Sequence, residues 1–502
     1  MAFKDFSNAF HADHHSPVPA VTAASPTRSP LTPPPRLPSP AHSYPHAAAA
    51  ASEGTVAMQQ QHTLPLPTDD VLDLAQGVTK TPFFEGEYDG ASDGKSQDSE
   101  VEARRQPPVV RPRKYRPSTD CVFVEPEGGV RDLYNASSVP IYQTATFKQG
   151  SADEMGEYDY SRSGNPTRTH VEAHLAKLMG AKRSFVVSSG MSALDIICRL
   201  VNSGEEVISG DDLYGGTNRL LSFMRTHNKV TVHHVDTTDL AAIGAKLTPN
   251  TRLVLLETPT NPLIKIADVT AISKLVHERS PDALVVVDNT MMSPYLQKPL
   301  TQGADIVYHS GTKYLSGHHD LMAGVVGCKD EALAAKIYFV INATGCGLAP
   351  FDCFLLMRGV KTLALRMDKQ QSNAQRIAEH LEQRYGLKVR FPGLRSHPQY
   401  DIHARHARGP GAVLSFETGD VAISKQVVEA ARLWTISVSF GCVNSLISMP
   451  CCMSHASIPA HVRKERALPE DLIRLCVGIE DADDLIEDLD SALRAAGLDF
   501  KA

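Results

Sequence analysis

The stretch Tyr308–His319, which reads YHSGTKYLSGHH, places Lys313 directly after small hydroxyl residues at the end of an apolar run. A second apolar run, Ala283 to Val287, ends in Asp288. Runs of this length predict buried strands. Because the carboxyl ends of neighbouring parallel strands meet at one edge of a sheet, the sequence predicts that Lys313 and Asp288 face the same ligand.

This pair of side chains indicates pyridoxal 5'-phosphate (PLP) as the cofactor. A lysine can bind the aldehyde of PLP covalently, and an aspartate can keep the pyridine nitrogen protonated so that the ring accepts electrons. Asp288 by itself could equally form a salt bridge or cap the next helix. The combination with Lys313 favours PLP, and we expect no metal.

From about Tyr115 onward, apolar runs of strand length alternate with segments of helical periodicity. This alternation predicts an α/β fold with a mostly parallel sheet covered on both faces. A long helical pattern at 354–385 should connect it to a smaller C-terminal α/β domain. The predicted strands are Ser184–Val187, Glu206–Ser209, Val230–Val235, Arg252–Leu256, Ala283–Val287, Ile306–Tyr308 and Ala323–Gly327.

The first 115 residues have a different composition. Ten prolines fall within the first 50 positions, and no isoleucine precedes Ile141. Such a segment buries too little apolar surface to offset its ordering entropy, so we expect a disordered tail at 1–115. The remaining predicted regions are an N-terminal arm with an intersubunit loop at 116–175, a PLP-binding large domain at 176–369 and a small domain at 370–502.

Charge and composition exclude several classes of partner. The net charge is -7, with 42% apolar and 21% charged residues. This balance gives no reason to expect nucleic acid or an anionic membrane surface as a partner. No apolar run is long enough for a membrane span. The nine cysteines are scattered, which indicates free thiols in a reducing compartment, here expected to be the cytoplasm.

Further polar residues follow predicted strands and loops. The segment Ser188–Ser192 closes a strand and opens a helix, so the backbone of Gly190 and Met191 could bind a phosphate, although such residues also serve as simple caps. Ser310 and Thr312 precede Lys313 and could donate hydroxyl groups to the same phosphate. Tyr214 lies in a glycine-flanked loop and could stack on a flat ring or only pack. Arg474 lies within an apolar run, which suits a substrate carboxylate or an ion pair with Glu480.

Taken together, these motifs resemble the Cys/Met-metabolism family of PLP enzymes, which includes cystathionine β-lyases, cystathionine γ-lyases, cystathionine γ-synthases and methionine γ-lyases. The resemblance covers about residues 117–498 and implies a type I PLP aminotransferase-like fold with a seven-stranded sheet. It is carried by Pro140–Gln143, Tyr160–Thr167, Ser189–Ala193, Asp212–Thr217, Glu257–Pro262, Asp288–Thr290, Ser310–Lys313 and Arg474–Glu480.

The resemblance implies a role for each residue of the site. Lys313 would bind PLP covalently and act in catalysis with Tyr214, which would also stack on the ring. Asp288 would bind the pyridine nitrogen, and Asn261 would lie near the phenolic oxygen. The phosphate would be held by Gly190, Met191, Ser310 and Thr312, and by Tyr160 and Arg162 of a neighbouring subunit. Arg474 and Ser439 would position the substrate carboxylate. A shared site implies a homo-oligomer, and the family is usually tetrameric.

Within the family, the C-terminal half is most similar to the plant-type cystathionine β-lyases. The γ-lyases typically have a glutamate where Asn444 stands and a serine where Ala349 stands. The resemblance therefore implies β-elimination of L-cystathionine to homocysteine, pyruvate and ammonia in methionine biosynthesis. The alternative within the family is γ-lyase or γ-synthase activity. A non-catalytic scaffold acting through the tail is a second alternative, which the intact lysine, aspartate, tyrosine and arginine set disfavours.

Overall fold

The computed structural model describes residues 115–123, 132, 134, 136–454, 456 and 460–501. The expected disorder of the N-terminal tail therefore lies outside the described residues, except for Tyr115. Among the helices of the described part, none is both long enough and apolar enough to cross a membrane.

The larger of the two sheets has seven strands. Its order is β1-β7-β6-β5-β4-β2-β3, and β7 is antiparallel to both of its neighbours whereas β2 to β6 pair in parallel. The predicted mostly parallel sheet is thereby confirmed. The strands are β1 Arg183–Val187, β2 Glu206–Gly210, β3 Thr231–Val235, β4 Thr251–Glu257, β5 Leu284–Asp288, β6 Ile306–Ser310 and β7 Gly324–Cys328.

Both faces of this sheet are buried, as the continuous apolar strands require. On β4, Leu253 and Leu255 pack in one apolar cluster, and Val254 and Leu256 pack in another on the opposite face. The accompanying helices are α1 Pro117–Val122, α2 Pro166–Met179, α3 Gly190–Cys198, α4 Gly215–His227, α5 Leu240–Lys246, α6 Val269–Arg279, α7 Ser293–Leu296 and α8 Glu331–Thr344.

A second, five-stranded sheet lies in the C-terminal part. Its order is β10-β11-β12-β9-β8, mostly antiparallel. The strands are β8 Lys388–Arg390, β9 Val413–Glu417, β10 Thr435–Ile436, β11 Leu446–Ser448 and β12 Leu472–Cys476. Its helices are α11 Tyr400–His406, α12 Val421–Ala430, α13 Ala460–Glu465 and α14 Ala482–Ala495. The expected domain borders at 115, 175 and 369 stay predictions.

The single long helix expected at 354–385 is two helices, α9 Pro350–Lys361 and α10 Leu363–Tyr385. The break at Thr362 has a packing cause. Gly359 lies against the backbone of Ser316. A Cβ atom added at position 359 would lie only 2.4 Å from the Ser316 carbonyl oxygen. The Thr362 N–H bonds to the Gly359 carbonyl, three residues back, so the last turn is tight. The Arg366 guanidinium also donates to that carbonyl.

Candidate active site

Lys313 lies in the loop between β6 and β7. Its Nζ donates a 2.6 Å hydrogen bond to the Ser439 hydroxyl and lies 5.2 Å from the centre of the Phe440 ring. Burial, together with the nearby charge of Arg474, lowers the pKa of Lys313 to about 8. A larger fraction of neutral amine at physiological pH makes this lysine a competent nucleophile.

Arg474, on β12, is buried with 1% of its surface exposed. Its Nη1 donates to the Asn261 side chain at 3.2 Å, and its Nη2 donates to the Ser439 carbonyl at 2.8 Å. Both acceptors are neutral, and Nε has no hydrogen-bond partner within the described part of the chain. An uncompensated guanidinium with a spare N–H suits a carboxylate ligand.

The alternative partner for Arg474 is excluded by the contacts of Glu480. The two carboxylate oxygens of Glu480 accept from the backbone N–H and the hydroxyl of Ser445, at 2.6 and 3.0 Å. Burial lowers the pKa of Arg474 from its ordinary value. The positive charge of Arg474 is therefore available to a ligand. Ser439 lies between the two groups, because its hydroxyl contacts the Lys313 amine and its carbonyl contacts the Arg474 guanidinium.

Asp288 ends β5, in register with Glu257 of β4 and Tyr308 of β6. Its carboxylate accepts from the Thr290 N–H at 2.9 Å and from the hydroxyls of Thr290 and Tyr308. Burial raises the pKa of Asp288. Within the described residues no lysine, arginine or histidine forms an ion pair with this carboxylate, so a protonated pyridine nitrogen would supply a fitting cation.

The amino end of α3 forms a compact cradle. Ser189 caps the helix by accepting from the Ser192 N–H at 3.0 Å. Gly190 approaches Ser310 so closely that a Cβ atom would lie 2.9 Å from the Ser310 Cβ. Backbone N–H groups at a helix start beside a serine hydroxyl suit a phosphate. Thr312 lies in the loop after β6, two residues beyond Ser310. Its hydroxyl accepts from the Ala323 N–H at 3.0 Å, so this hydroxyl already has a partner within the fold.

Tyr214 precedes α4 and lies beside this cradle, with 44% of its surface exposed. Gly216 separates the Tyr214 ring from the Met191 sulfur. A Cβ atom on Gly216 would lie 2.5 Å from the ring and 2.8 Å from the sulfur. The glycine at 216 therefore allows the tyrosine to pack next to the helix start, as a ring that stacks on a cofactor must.

Tyr160 and Arg162 contact each other, and within the described residues no hydrogen bond or ion pair joins either of them to the cradle. The Arg162 guanidinium lies 4.9 Å from the centre of the Tyr160 ring, and its Nε donates to the Asn342 side chain on α8 at 3.3 Å. Tyr160 is 40% exposed. The remaining residues predicted for the site gather at the carboxyl edge of the large sheet or at the neighbouring edge of β12.

The structure adds three residues to which the sequence had assigned no role in the site. Phe440 packs beside Lys313, and His319 lines a cavity of about 350 Å³ together with Thr312 and Ser439. Glu257 ends β4 in register with Asp288. A signal was present for Glu257, because it follows the apolar run Leu253–Leu256 as Asp288 follows its own run.

These residues fit PLP. Four features match the polar groups of the cofactor and of an amino-acid substrate. They are a lysine with a lowered pKa, a half-buried aspartate that no cation of the described part pairs with, a helix start beside a serine, and a buried arginine with a spare N–H. We infer that Lys313, Asp288, Tyr214, Gly190, Met191, Ser310 and Thr312 would hold PLP.

Comparisons with known proteins agree with this site. Residues 120–494 match the family described as Cys/Met metabolism PLP-dependent enzyme. A cystathionine beta-lyase of Neurospora crassa is 66% identical over 77% of this chain and 83% of its own length, and a chloroplastic cystathionine beta-lyase of Arabidopsis thaliana is 54% identical over 72% and 78%.

Among solved structures, a cystathionine gamma-lyase of Lactobacillus plantarum complexed with L-serine superposes with a TM-score of 0.73, at 41% identity over 77% of this chain and 100% of that chain. The predicted fold, the PLP cofactor and the similarity to plant-type relatives are confirmed. The chain belongs to the Cys/Met metabolism family of PLP-dependent enzymes.

Proposed function

We propose that the chain is a carbon–sulfur lyase that converts L-cystathionine and water into homocysteine, pyruvate and ammonia, a step of methionine biosynthesis. The observation that carries the proposal is the arrangement of Lys313, Ser439 and Arg474, in which one serine links a nucleophilic amine to a buried guanidinium. This arrangement binds an amino acid by its carboxylate beside a base. The high identity to two cystathionine beta-lyases supports the choice of substrate.

Each side chain then has a defined task. Arg474, held by Asn261 and the Ser439 carbonyl, would bind the substrate α-carboxylate and so orient the Cα–H bond toward Lys313. The neutral amine of Lys313 would remove the Cα proton, and its ammonium form could return a proton to the departing sulfur. PLP, when bound, supplies an electron sink for the charge that develops at Cα.

Two finer features belong to the proposal. A homotetramer with shared sites is supported by the position of Tyr160 and Arg162. Both are exposed, the Arg162 guanidinium lies over the Tyr160 ring, and its Nε donates to Asn342. We place the enzyme in the cytoplasm, which agrees with all nine cysteines being free thiols.

The test is product analysis of the purified protein with L-cystathionine. We expect pyruvate and homocysteine in equal amounts. α-Ketobutyrate with cysteine would contradict β-elimination and leave the γ-lyase alternative. Formation of cystathionine from cysteine and an activated homoserine would instead indicate γ-synthase activity.

A further inference from the structure

Glu257 is a buried carboxyl group that the steps above leave without a task. It ends β4 and is 9% exposed. The strand register places Glu257 beside Asp288, which in turn lies beside Tyr308. Residues in register on neighbouring strands project to the same face of a sheet, so the two carboxyl groups and the phenol form one row at the carboxyl edge.

The contacts of Glu257 reach two other residues of the cofactor site. Its Oε2 accepts the Tyr214 backbone N–H at 3.2 Å. It also accepts a hydrogen bond from the backbone of Asn261. One side chain thus fixes the loop that carries the tyrosine ring and the loop that carries the asparagine, while lying beside the aspartate.

The surroundings of Glu257 disfavour a negative charge. The titratable groups that face it are Asp288 on β5, Asp212 in the loop after β2 and Tyr308 on β6. Burial, reinforced by the two neighbouring carboxylates, raises the pKa of Glu257 well above its ordinary value. Two adjacent carboxyl groups, Glu257 buried and Asp288 half-buried, cannot both ionise at low cost, so one of them keeps its proton.

We propose that Glu257 is a positioning residue of the cofactor site, which holds the Tyr214 and Asn261 loops in place through its carboxyl oxygens. This inference rests on the PLP site of the proposed function. A neutral Glu257 leaves Asp288 as the single anion of the row, available to the pyridine nitrogen. The hydrogen bonds to the two loops need an acceptor oxygen and no charge.

Two substitutions separate these requirements. Glu257→Gln keeps a carbonyl acceptor without a charge, and Glu257→Ala removes the acceptor. We would measure the dissociation constant of PLP from the apoenzyme by visible absorption, together with kcat and KM. We expect the Gln variant to stay within about threefold of the wild type and the Ala variant to bind PLP at least about tenfold more weakly, since two hydrogen bonds to backbone N–H groups are lost.

A matched control is Glu172→Ala, because Glu172 also accepts a backbone N–H, from Val186 at 3.0 Å, but lies on α2. Its PLP affinity should remain near that of the wild type. An Ala variant of Glu257 with wild-type affinity, or a Gln variant as impaired as the Ala variant, would overturn the proposal.

If Glu257→Ala does not fold, the Gln variant decides the question through the pH dependence of the bound cofactor's absorption. An unchanged profile supports a neutral Glu257, and a shifted profile overturns it. Failure of the proposed function is a separate outcome, because the wild type would then bind PLP without producing pyruvate.

Discussion

The two edges of the large sheet differ in how their charged groups are paired. Asp305 at the amino edge is buried, and Asp288 and Lys313 at the carboxyl edge are half-buried. At the amino edge, Asp305 is 1% exposed and is fully paired, accepting from the Val285 N–H at 2.6 Å, from His277 at 2.9 Å and from Lys329. At the carboxyl edge, the partners of Asp288 within the described residues are hydroxyl and N–H groups. The Lys313 amine there has a serine hydroxyl and the Phe440 ring as neighbours, and no carboxylate of the described part pairs with it.

The difference separates a structural site from a binding site in one fold. When a buried charge is paired within the chain, removing one partner is strongly destabilising, because the other partner is left as an unpaired charge in a low-dielectric environment. A buried charge without a counterion is costly in the free protein and becomes favourable only when a ligand supplies the missing charge. The unpaired charges at the carboxyl edge therefore indicate a site for a ligand that carries the complementary charges.

The largest expected effect contrasts the two lysines. Lys313→Ala should lower kcat by at least about 10³-fold, because it removes both the cofactor-binding amine and the base. Lys329→Ala should leave kcat unchanged, since the ion pair that Lys329 forms within the described residues is with Asp305, at the far edge of the sheet. Turnover of the two purified variants checks this. Equal losses in both would remove the distinction between the edges.

The two aspartates give the next contrast. Asp288→Asn should lower kcat by about 10²- to 10³-fold, as expected when one preorganised electrostatic partner is lost. Asp305→Asn should instead lower the free energy of unfolding by about 1–3 kcal/mol with little change in kcat of the folded enzyme. Urea titration and steady-state kinetics on both variants test the pair. A strongly destabilised Asp288→Asn variant would speak against the comparison.

Two buried arginines extend the comparison to the C-terminal part. Arg366 donates to the Tyr314 and Gly359 carbonyls and to the Thr362 hydroxyl, so its donors are used within the fold. Arg474→Lys should raise KM for cystathionine by about 10- to 100-fold, since a charged, two-point contact is lost. Arg366→Lys should affect stability and leave KM near the wild-type value. An unchanged KM in Arg474→Lys would remove Arg474 from the substrate site.

The smallest expected effect is on the pH dependence of stability. The pKa values of Asp288 and Glu257 are raised in the folded protein by burial. The folded apoenzyme therefore keeps protons that the unfolded chain releases, and its free energy of unfolding should fall as pH rises above about 4 to 5. The double variant Asp288→Asn, Glu257→Gln should show a flatter slope in this range by urea titration. An identical slope in wild type and double variant would contradict the assignment.

Much of the large sheet could be predicted because both of its faces are buried. Strands such as Val285–Val287 are continuous apolar runs, and a residue such as Asp288 stands out at their ends. The small sheet gave a weaker signal, although its strand β12 coincides with the apolar run around Arg474. Its strands β8, β10 and β11 have only three, two and three residues, which is too short for a periodic pattern.

The parts of the site that the sequence left open depend on distant contacts. Whether Arg474 pairs with Glu480 or faces the site is decided by Ser445, which takes both oxygens of Glu480. The division of the long helix at Thr362 depends on the close approach of Ser316 to Gly359. Neither contact is local, so no periodicity or propensity along the chain could reveal it.

The pairing of β1 has a consequence for the order in which the site can form during synthesis. β1 leads into the phosphate cradle, yet its hydrogen-bonded neighbour is β7, so Arg183 pairs with Cys328 and Val187 with Gly324. A nascent chain that has not yet emerged beyond Cys328 cannot fix the cradle in the sheet, and Arg474 follows later still. We therefore expect the ribosome-bound chain to acquire its cofactor only after β7 has emerged, and to complete its substrate site later, when Arg474 joins the small sheet.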